Sequence, residues 1–359
     1  MGFLDKIFKK KEGLKSPKGF NSFLVKEVVT VTNDSVKVVF DIPSELRNDY
    51  SYTPGQYITL AVQIDGDEVR RSYSICSGPH ESLAVAIKKV PNGKVSNWAN
   101  QFLKAGDEVF VSKPEGNFKW NNKDAFIVAF AAGSGVTPML SIAKHLEGQI
   151  GDMRLFYGNK REDSSMFLNE LRALKNTKTQ LFLTQEQKED AVNSRLNNDS
   201  INALIKSDLN LLKADAYFLC GPEEMIKSGL ETLRLFGVSK TKIHYELFTT
   251  PLLLVETQKE AVEVFKGTSH VTIILDQEKI ELEIDEKSSS ILDSLNVEGY
   301  DPPYSCRGGV CCACKAKVIE GKATMKLNYS LTEQEVEDGY VLTCQAQPAS
   351  EKVTISYDA

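Results

Sequence analysis

Between Ser22 and Trp120, apolar and polar positions alternate in short β-branched runs, among them "FLVKEVVTVT", "VKVVFDI", "QYITLAVQI", "SLAVAIKKV" and "DEVFVSKPEG", each closed by turn residues. A period of two turns one face of each run inward, and such runs at close spacing predict a small antiparallel barrel. One helical stretch, "VSNWANQFLKAGD", interrupts them after Gly93. From about Asp124 to Phe248 the rhythm changes to nearly continuous apolar strands: "AFIVAFAA", "MRLFYG", "TQLFLT", "AYFLC" and "KIHYELF". Helical patterns near Met139 to Leu146, Ser165 to Leu174, Ser200 to Ile205 and Glu223 to Phe236 separate these strands. That alternation predicts a parallel sheet covered on both faces, with ligands beyond the carboxyl ends of its strands.

After the connecting "TTPLLLVETQKEAVEVFKG" come a two-strand pattern, "SHVTIILDQEKIELEIDE", a short helix, "SILDSLN", and a cysteine-rich stretch. The expected class is α+β multidomain: a tail (1–20), a β-barrel (21–121), an α/β domain (122–248), a linker (249–267) and a C-terminal module (268–359).

Length and composition narrow the partners. The chain has 359 residues, 42% hydrophobic and 26% charged, enough for roughly two to three soluble domains. A net charge of −6 gives no basic footprint for nucleic acid. No run approaches the roughly 18 apolar residues of a membrane span, and "MGFLDKIFKKK" lacks a secretory signal, so the expected compartment is the cytoplasm. Phe3, Leu4, Ile7 and Phe8 with Lys6, Lys9, Lys10 and Lys11 could make a short basic amphipathic helix, although a frayed tail is the simpler reading.

In "PPYSCRGGVCCACKAKVIEG", Cys306, Cys311, Cys312 and Cys314 fall within nine residues, and Cys344 follows in "VLTCQAQ". A reducing compartment favours a metal site over disulfides. The spacing C-x4-C-x2-C with a distant fourth cysteine is the plant-type [2Fe–2S] arrangement, which assigns Cys306, Cys311, Cys314 and Cys344 as ligands and leaves Cys312 spare. A structural zinc would show two short pairs rather than one. Gly308 and Gly309 suit a tight loop whose backbone N–H groups face the sulfurs. On these residues Ser269 to Ala359 resembles a plant-type ferredoxin domain, which implies a β-grasp fold and one-electron transfer.

In "RRSYSICS", Arg71 could neutralise a phosphate, Tyr73 could stack on an isoalloxazine and Ser74 could reach its N5 edge; a surface strand with a core tyrosine would read the same way. The helix start at Gly93, Lys94, Val95 and Ser96 offers free N–H groups to a pyrophosphate, or is an ordinary helix cap. After "AFIVAFAA", the turn Gly133, Ser134, Gly135 leads through Val136, Thr137 and Pro138 into a helix, a G-x-G approach to a second pyrophosphate. Cys220, Gly221 and Pro222 end a later strand.

Together these pieces resemble the ferredoxin–NADP reductase superfamily over nearly all of residues 20 to 248. The resemblance implies that Arg71 pairs with the flavin pyrophosphate, that Tyr73 packs on the isoalloxazine and that Ser74 bonds near N5. It further implies that Cys220 lies beside the nicotinamide, that Glu246 sits near the hydride path and that Phe248 covers the flavin. Cys76 is expected to be buried packing. Lys160 and Arg161 are candidates for a 2′-phosphate, whereas Gln185 stands where NADP-preferring relatives carry arginine, so NADPH is favoured only slightly over NADH.

The domain order implies a path from NAD(P)H to FAD, to the [2Fe–2S] cluster and out to a partner protein. With "CRGGVCCACK" it resembles the reductase components of phenylacetyl-CoA epoxidases, which would make the acceptor a di-iron oxygenase. Reductases of ring-hydroxylating dioxygenases, demethylases and hybrid-cluster proteins share the order, some with FMN; a redox-sensing or docking module is the non-enzymatic alternative. Glu333, Glu335, Glu337 and Asp338 read as a solvated face or, alternatively, a docking patch.

Overall fold

The computed structural model describes residues 16–251 and 264–359; the basic N-terminal segment and most of the expected linker lie outside the described residues. The first unit contains β1 (Phe20–Thr32), β2 (Ser35–Asp41), β3 (Tyr57–Ile64), β4 (Asp67–Ser74), β5 (Ala84–Lys88) and β6 (Glu108–Ser112). They form one antiparallel sheet in the order β4-β3-β6-β1-β2-β5. An Ile75–Val85 bridge joins its two edges and closes the barrel, which removes open strand edges. Val38, Ile58, Leu60, Val85, Ile87 and Val111 fill it. The helix α1 (Lys94–Gln101) buries Val95 and Ala99 against the same core.

The second unit is a six-stranded, all-parallel sheet of β7 (Phe126–Ala132), β8 (Asp152–Asn159), β9 (Thr177–Leu183), β10 (Ala191–Val192), β11 (Ala216–Cys220) and β12 (Ile243–Glu246). Its order, β10-β9-β8-β7-β11-β12, reverses direction between β7 and β11, so the crevice at their carboxyl ends is the expected ligand position. Its helices are α2 (Val136–Leu146), α3 (Leu168–Ala173), α4 (Asn198–Ser207) and α5 (Glu223–Leu235). The helix α2 begins three residues before the expected Met139 because Pro138, lacking only an N–H that has no partner in a first turn, is tolerated there. Cys76 has no exposed surface and packs with Val136 and Met139 between barrel and α2, as expected for a packing cysteine.

The third unit pairs β13 (Thr268–Leu275), β14 (Glu278–Asp285), β15 (Lys315–Glu320), β17 (Tyr340–Leu342) and β19 (Lys352–Ser356) in the order β14-β13-β19-β15-β17. β13 and β19 are parallel and the other neighbours antiparallel, with α6 (Ile291–Val297) packed through Ile291 and Leu295 on the core: a β-grasp. A small ladder of β16 (Ala323–Met325) and β18 (Ala346–Pro348) and the short α7 (Glu333–Glu337) complete it. Val310 and Tyr329 pack into the apolar cluster of Leu219, Met225 and Leu247, which joins the cysteine loop to the second unit.

Candidate active site and cluster loop

Pairing of β3 with β4 sets Tyr57 opposite Ser74, and parallel pairing of β11 with β12 sets Cys220 beside Glu246. The two units meet where the Ser74 hydroxyl donates to Glu246 Oε2 at 3.2 Å. Burial pushes the Glu246 carboxyl up to about 8, against the lowering effect of that hydroxyl. Cys220 is fully buried, and burial together with the Glu246 carboxylate holds its thiol well above the ordinary range, so it is neutral at pH 7. Three residues from three strands thus converge.

The glycine turn packs against the same place. A Cβ on Gly135 would run into the Cys220 carbonyl oxygen, so Gly135 is required by the contact between the two strand ends, in addition to any ligand. Gly133 has a φ of +55° and accepts a hydrogen bond from the Tyr157 hydroxyl. Ser134 accepts one from Thr137 Oγ1 at 2.9 Å, while Val136, Thr137 and Pro138 are buried. Gly221 needs its missing Cβ too, with Met225 and Ala132 within about 3 Å of it, and Pro222 caps α5.

Around β4, side-chain alternation decides roles. Arg71 is exposed and has no ion pair among the described residues, and the Tyr73 ring packs partly on the barrel core. Arg70, overlooked in the sequence, is the opposite: its side chain is 1% exposed and bidentate to Asp301, both distances 2.7 Å, with Glu68 on Nε at 2.7 Å. The Tyr304 ring lies 4.5 Å from its guanidinium. Ser72 bonds Ser305 at 2.8 Å. Arg70 and Ser72 therefore fasten the barrel to the segment entering the cysteine loop.

At the α1 start, the expected set divides. Gly93 is the N-cap, Val95 is core, and Ser96 Oγ accepts from Val90 N at 3.2 Å, so neither side chain faces outward and only backbone N–H groups remain for a phosphate. Lys94 pairs with Asp67 at 3.2 Å. At the carboxyl ends of β8 and β9, Lys160 is exposed and its carbonyl accepts from Gln185 N, while Arg161 pairs with Asp163 at 3.4 Å. The carboxylates of Glu162 and Glu186 lie beside them, the latter accepting from Glu162 N at 2.7 Å. A 2′-phosphate there would meet lysine and arginine but also this acidic pair.

The four expected ligands form two thiol pairs, Cys306 with Cys311 and Cys314 with Cys344. Among the described residues no three metal-binding side chains converge on a single ion position. Two pairs suit two irons taking two thiolates each, and not one tetrahedral zinc. Gly308 N donates to Cys306 Sγ at 3.3 Å, and the backbone of Val310 and Cys311 also faces it. The Cys311 hydrogen bond and these amides hold Cys306 low, at about 6, despite burial: the loop stabilises anionic sulfur. Cys312 turns away to the Ser330 carbonyl at 3.3 Å, and burial raises its thiol to about 12. Gly309 has a φ of +74°, whereas a Cβ on Gly308 would collide with Thr250 Oγ1, so its small size serves packing on the end of the second unit.

A cavity of about 210 Å³ is lined by Ser74, Glu246, Phe248, Tyr57, Cys306 and Cys311, among others, with Arg71 at its edge. That is below the roughly 300–1,000 Å³ of complete ligand pockets, so much of a flavin dinucleotide would extend beyond it, toward an unpaired cation suited to phosphate. Phe248 is 44% exposed beside it. Sequence reasoning missed Tyr57, Arg70, Ser72, Asn117 and Ser305; the alternation of "RRS" with "SYS" was the only local signal, and it marks a face without naming its partner. In the acidic stretch Glu333, Glu337 and Asp338 are exposed, as expected of a solvated face, with Glu333 paired to Lys240; Glu335 is half-buried, accepting from Asn117 Nδ2 at 2.6 Å and pairing with Lys315 at 3.1 Å, a contact inside the chain that the sequence did not show.

Comparison with known proteins follows this division. Residues 22–120 match the oxidoreductase FAD-binding domain, residues 130–229 the oxidoreductase NAD-binding domain, and residues 273–349 the 2Fe-2S iron-sulfur cluster binding domain. The chain is 36% identical to one of the subunits of the 1,2-phenylacetyl-CoA epoxidase of Escherichia coli (strain K12), over 95% of this chain and 98% of that one. It is 32% identical to the ferredoxin reductase component of 3-ketosteroid-9-alpha-monooxygenase from Rhodococcus rhodochrous, over 95% and 98%. The solved structure of phthalate dioxygenase reductase shares its fold with a TM-score of 0.58 at 21% identity, covering 95% of this chain and all of that one.

Proposed function

This chain belongs to the ferredoxin–NADP reductase family and carries FAD-binding, NAD-binding and [2Fe–2S] domains, and on that premise we propose that it is the reductase of a di-iron phenylacetyl-CoA epoxidase. It is an NAD(P)H-dependent oxidoreductase that passes electrons to an oxygenase. Bound FAD supplies the conversion of one hydride into two single electrons, and the cluster supplies their one-at-a-time exit. The balance per turnover is one NAD(P)H giving NAD(P)+, one proton and two electrons.

The partner assignment is supported by the 36% identity over nearly the full chain, and the electron path by the shared cavity: Ser74 and Glu246 open into the space that Cys306 and Cys311 also line. Arg71 and the backbone N–H groups at the start of α1 would hold the flavin phosphates, and Tyr73 would contact its ring system. The turn from Gly133 to Pro138 and the Gly221–Pro222 end receive the nicotinamide dinucleotide, with Lys160 and Arg161 at its adenosine end. Glu246, bonded to Ser74 and mostly protonated near neutral pH, would keep a proton donor at the reaction edge, and Cys220 forms the uncharged floor. Cys306, Cys311, Cys314 and Cys344 hold the cluster. Among the described residues no helix is long and apolar enough to cross a membrane, and no disulfide joins the chain's cysteines, which suits a reducing compartment such as the cytoplasm.

The test is reconstitution with purified oxygenases. NAD(P)H-driven epoxidation of phenylacetyl-CoA with the epoxidase supports the partner assignment. Turnover only with a ketosteroid monooxygenase, or another ring-hydroxylating oxygenase, overturns it while leaving the electron path intact.

A further inference from the structure

The cavity has one wall that neither cofactor assignment uses. Tyr57 opens β3 opposite Ser74, lines the cavity and is only 4% exposed. Its hydroxyl accepts the Cys312 backbone N–H at 3.1 Å and faces Glu115 Oε2 at 3.3 Å. That N–H belongs to the peptide directly after the expected ligand Cys311. Backbone bonds in both directions tie Tyr57 to Glu115, at 2.9 and 3.0 Å, so the two move as one piece of barrel. Gly116, with a φ of +110°, leaves room for the ring, since a Cβ there would sit 2.9 Å from two of its carbons. Asn117 then holds the neighbouring segment that leads into α7, donating to the Ser330 carbonyl, which also accepts from Cys312 Sγ, at 3.1 Å and to Glu335.

Ring, hydroxyl and loop are therefore fixed together, from the flavin-side strand to the peptide beside an iron ligand. We propose that Tyr57 is a positioning residue for the single-electron step: its hydroxyl sets the distance between the flavin site and the cluster loop by holding the Cys311–Cys312 peptide against the cavity wall. This deepens the electron path proposed above and rests on it. Tunnelling between redox centres depends steeply on separation, so a slackened loop slows this step while leaving hydride uptake, across the cavity at Ser74 and Glu246, unchanged.

The experiment uses the full chain loaded with flavin and cluster, mixed anaerobically with NADPH in a stopped-flow spectrophotometer. In Tyr57→Phe, which keeps the ring, flavin bleaching stays within about twofold of wild type, while cluster bleaching slows by about fivefold, the scale of one lost hydrogen bond. Amide hydrogen exchange of the 308–314 peptide rises in the same variant, and its dithionite-reduced cluster keeps the wild-type paramagnetic resonance spectrum. Glu115→Gln, which retains an acceptor, stays near wild type. Equal cluster rates and unchanged exchange in Tyr57→Phe overturn the proposal. A wild-type cluster that never bleaches overturns the electron path itself, and the positioning role with it.

Discussion

Arg70 and Arg71 are adjacent on one strand, yet Arg70 is enclosed by Asp301, Glu68 and Tyr304, while Arg71 stands exposed at the cavity edge without an ion pair among the described residues. Each belongs to a different junction. On the hydride side, Ser74 and Glu246 meet across barrel and parallel sheet through one polar bond beside the buried Cys220, while Ser141 to the Ser77 carbonyl and Lys144 to Glu81, both at 2.8 Å, join the same two units outside the cavity lining. On the electron side, Arg70, Ser72, Tyr57 and Asn117 reach the cysteine module through at least four separate polar contacts. Hydride transfer needs an open cleft that admits and releases a nicotinamide. Single-electron transfer needs no exchange of ligand, only a fixed distance, and a dense polar clamp provides it.

The two junctions should therefore fail independently. The largest separation comes from a cluster ligand: Cys344→Ser lowers delivery to any one-electron acceptor at least about a hundredfold, while NADPH still bleaches the flavin, as absorbance at both bands will report. Cys312→Ser keeps the cluster, because its thiol faces Ser330. A comparable break on the other side is Glu246→Gln, expected to slow flavin reduction by about a hundredfold and leave the dithionite-reduced cluster unaltered.

That variant also has a pH signature. The folded Glu246 carboxyl is raised from 4.5 to about 8, so the protonated form is favoured by folding. Its contribution to stability is complete below about pH 4.5 and is lost as pH rises through about 8. Denaturation midpoints of wild type should fall across that window relative to Glu246→Gln; parallel curves would remove Glu246 as the titrating group.

Asp301→Asn sharpens the electron side. It strands Arg70 with Glu68 alone and should cost about 1–3 kcal/mol in urea unfolding of the docked module, with cluster bleaching slowed and flavin bleaching kept. The smallest effect is expected at the adenosine end: Arg161→Ala should raise the KM for NADPH about threefold with little change for NADH. An equal rise for both would mean that Arg161 touches no 2′-phosphate.

This contrast also explains what could be read from the chain. The four expected cluster cysteines, which the structure gathers in two pairs, could be picked out because three of them lie in one nine-residue loop whose spacing is itself the signal. Arg71, Tyr73 and Ser74 could be singled out as candidates because they fall within four residues of one strand, and of these the structure brings Ser74 to Glu246. The barrel, the parallel sheet and the two-strand opening of the third unit followed from hydrophobic period, and the two-residue β10 was too short to show one. Arg70 with Asp301 and Tyr57 with Cys312 are separated by 231 and 255 positions, and nothing local in either sequence names the other. Glu335 shows the same limit: a charge read as solvated becomes a docking contact only when Asn117 is brought to it.

The most direct test of the account is an anaerobic titration of the loaded wild-type protein with NADPH, with flavin and cluster absorption followed together. Both sets of bands should bleach, with the cluster taking one electron per molecule from a donor that gives two. Flavin bleaching with a cluster that stays oxidised, or with no cluster absorption at all, would contradict it.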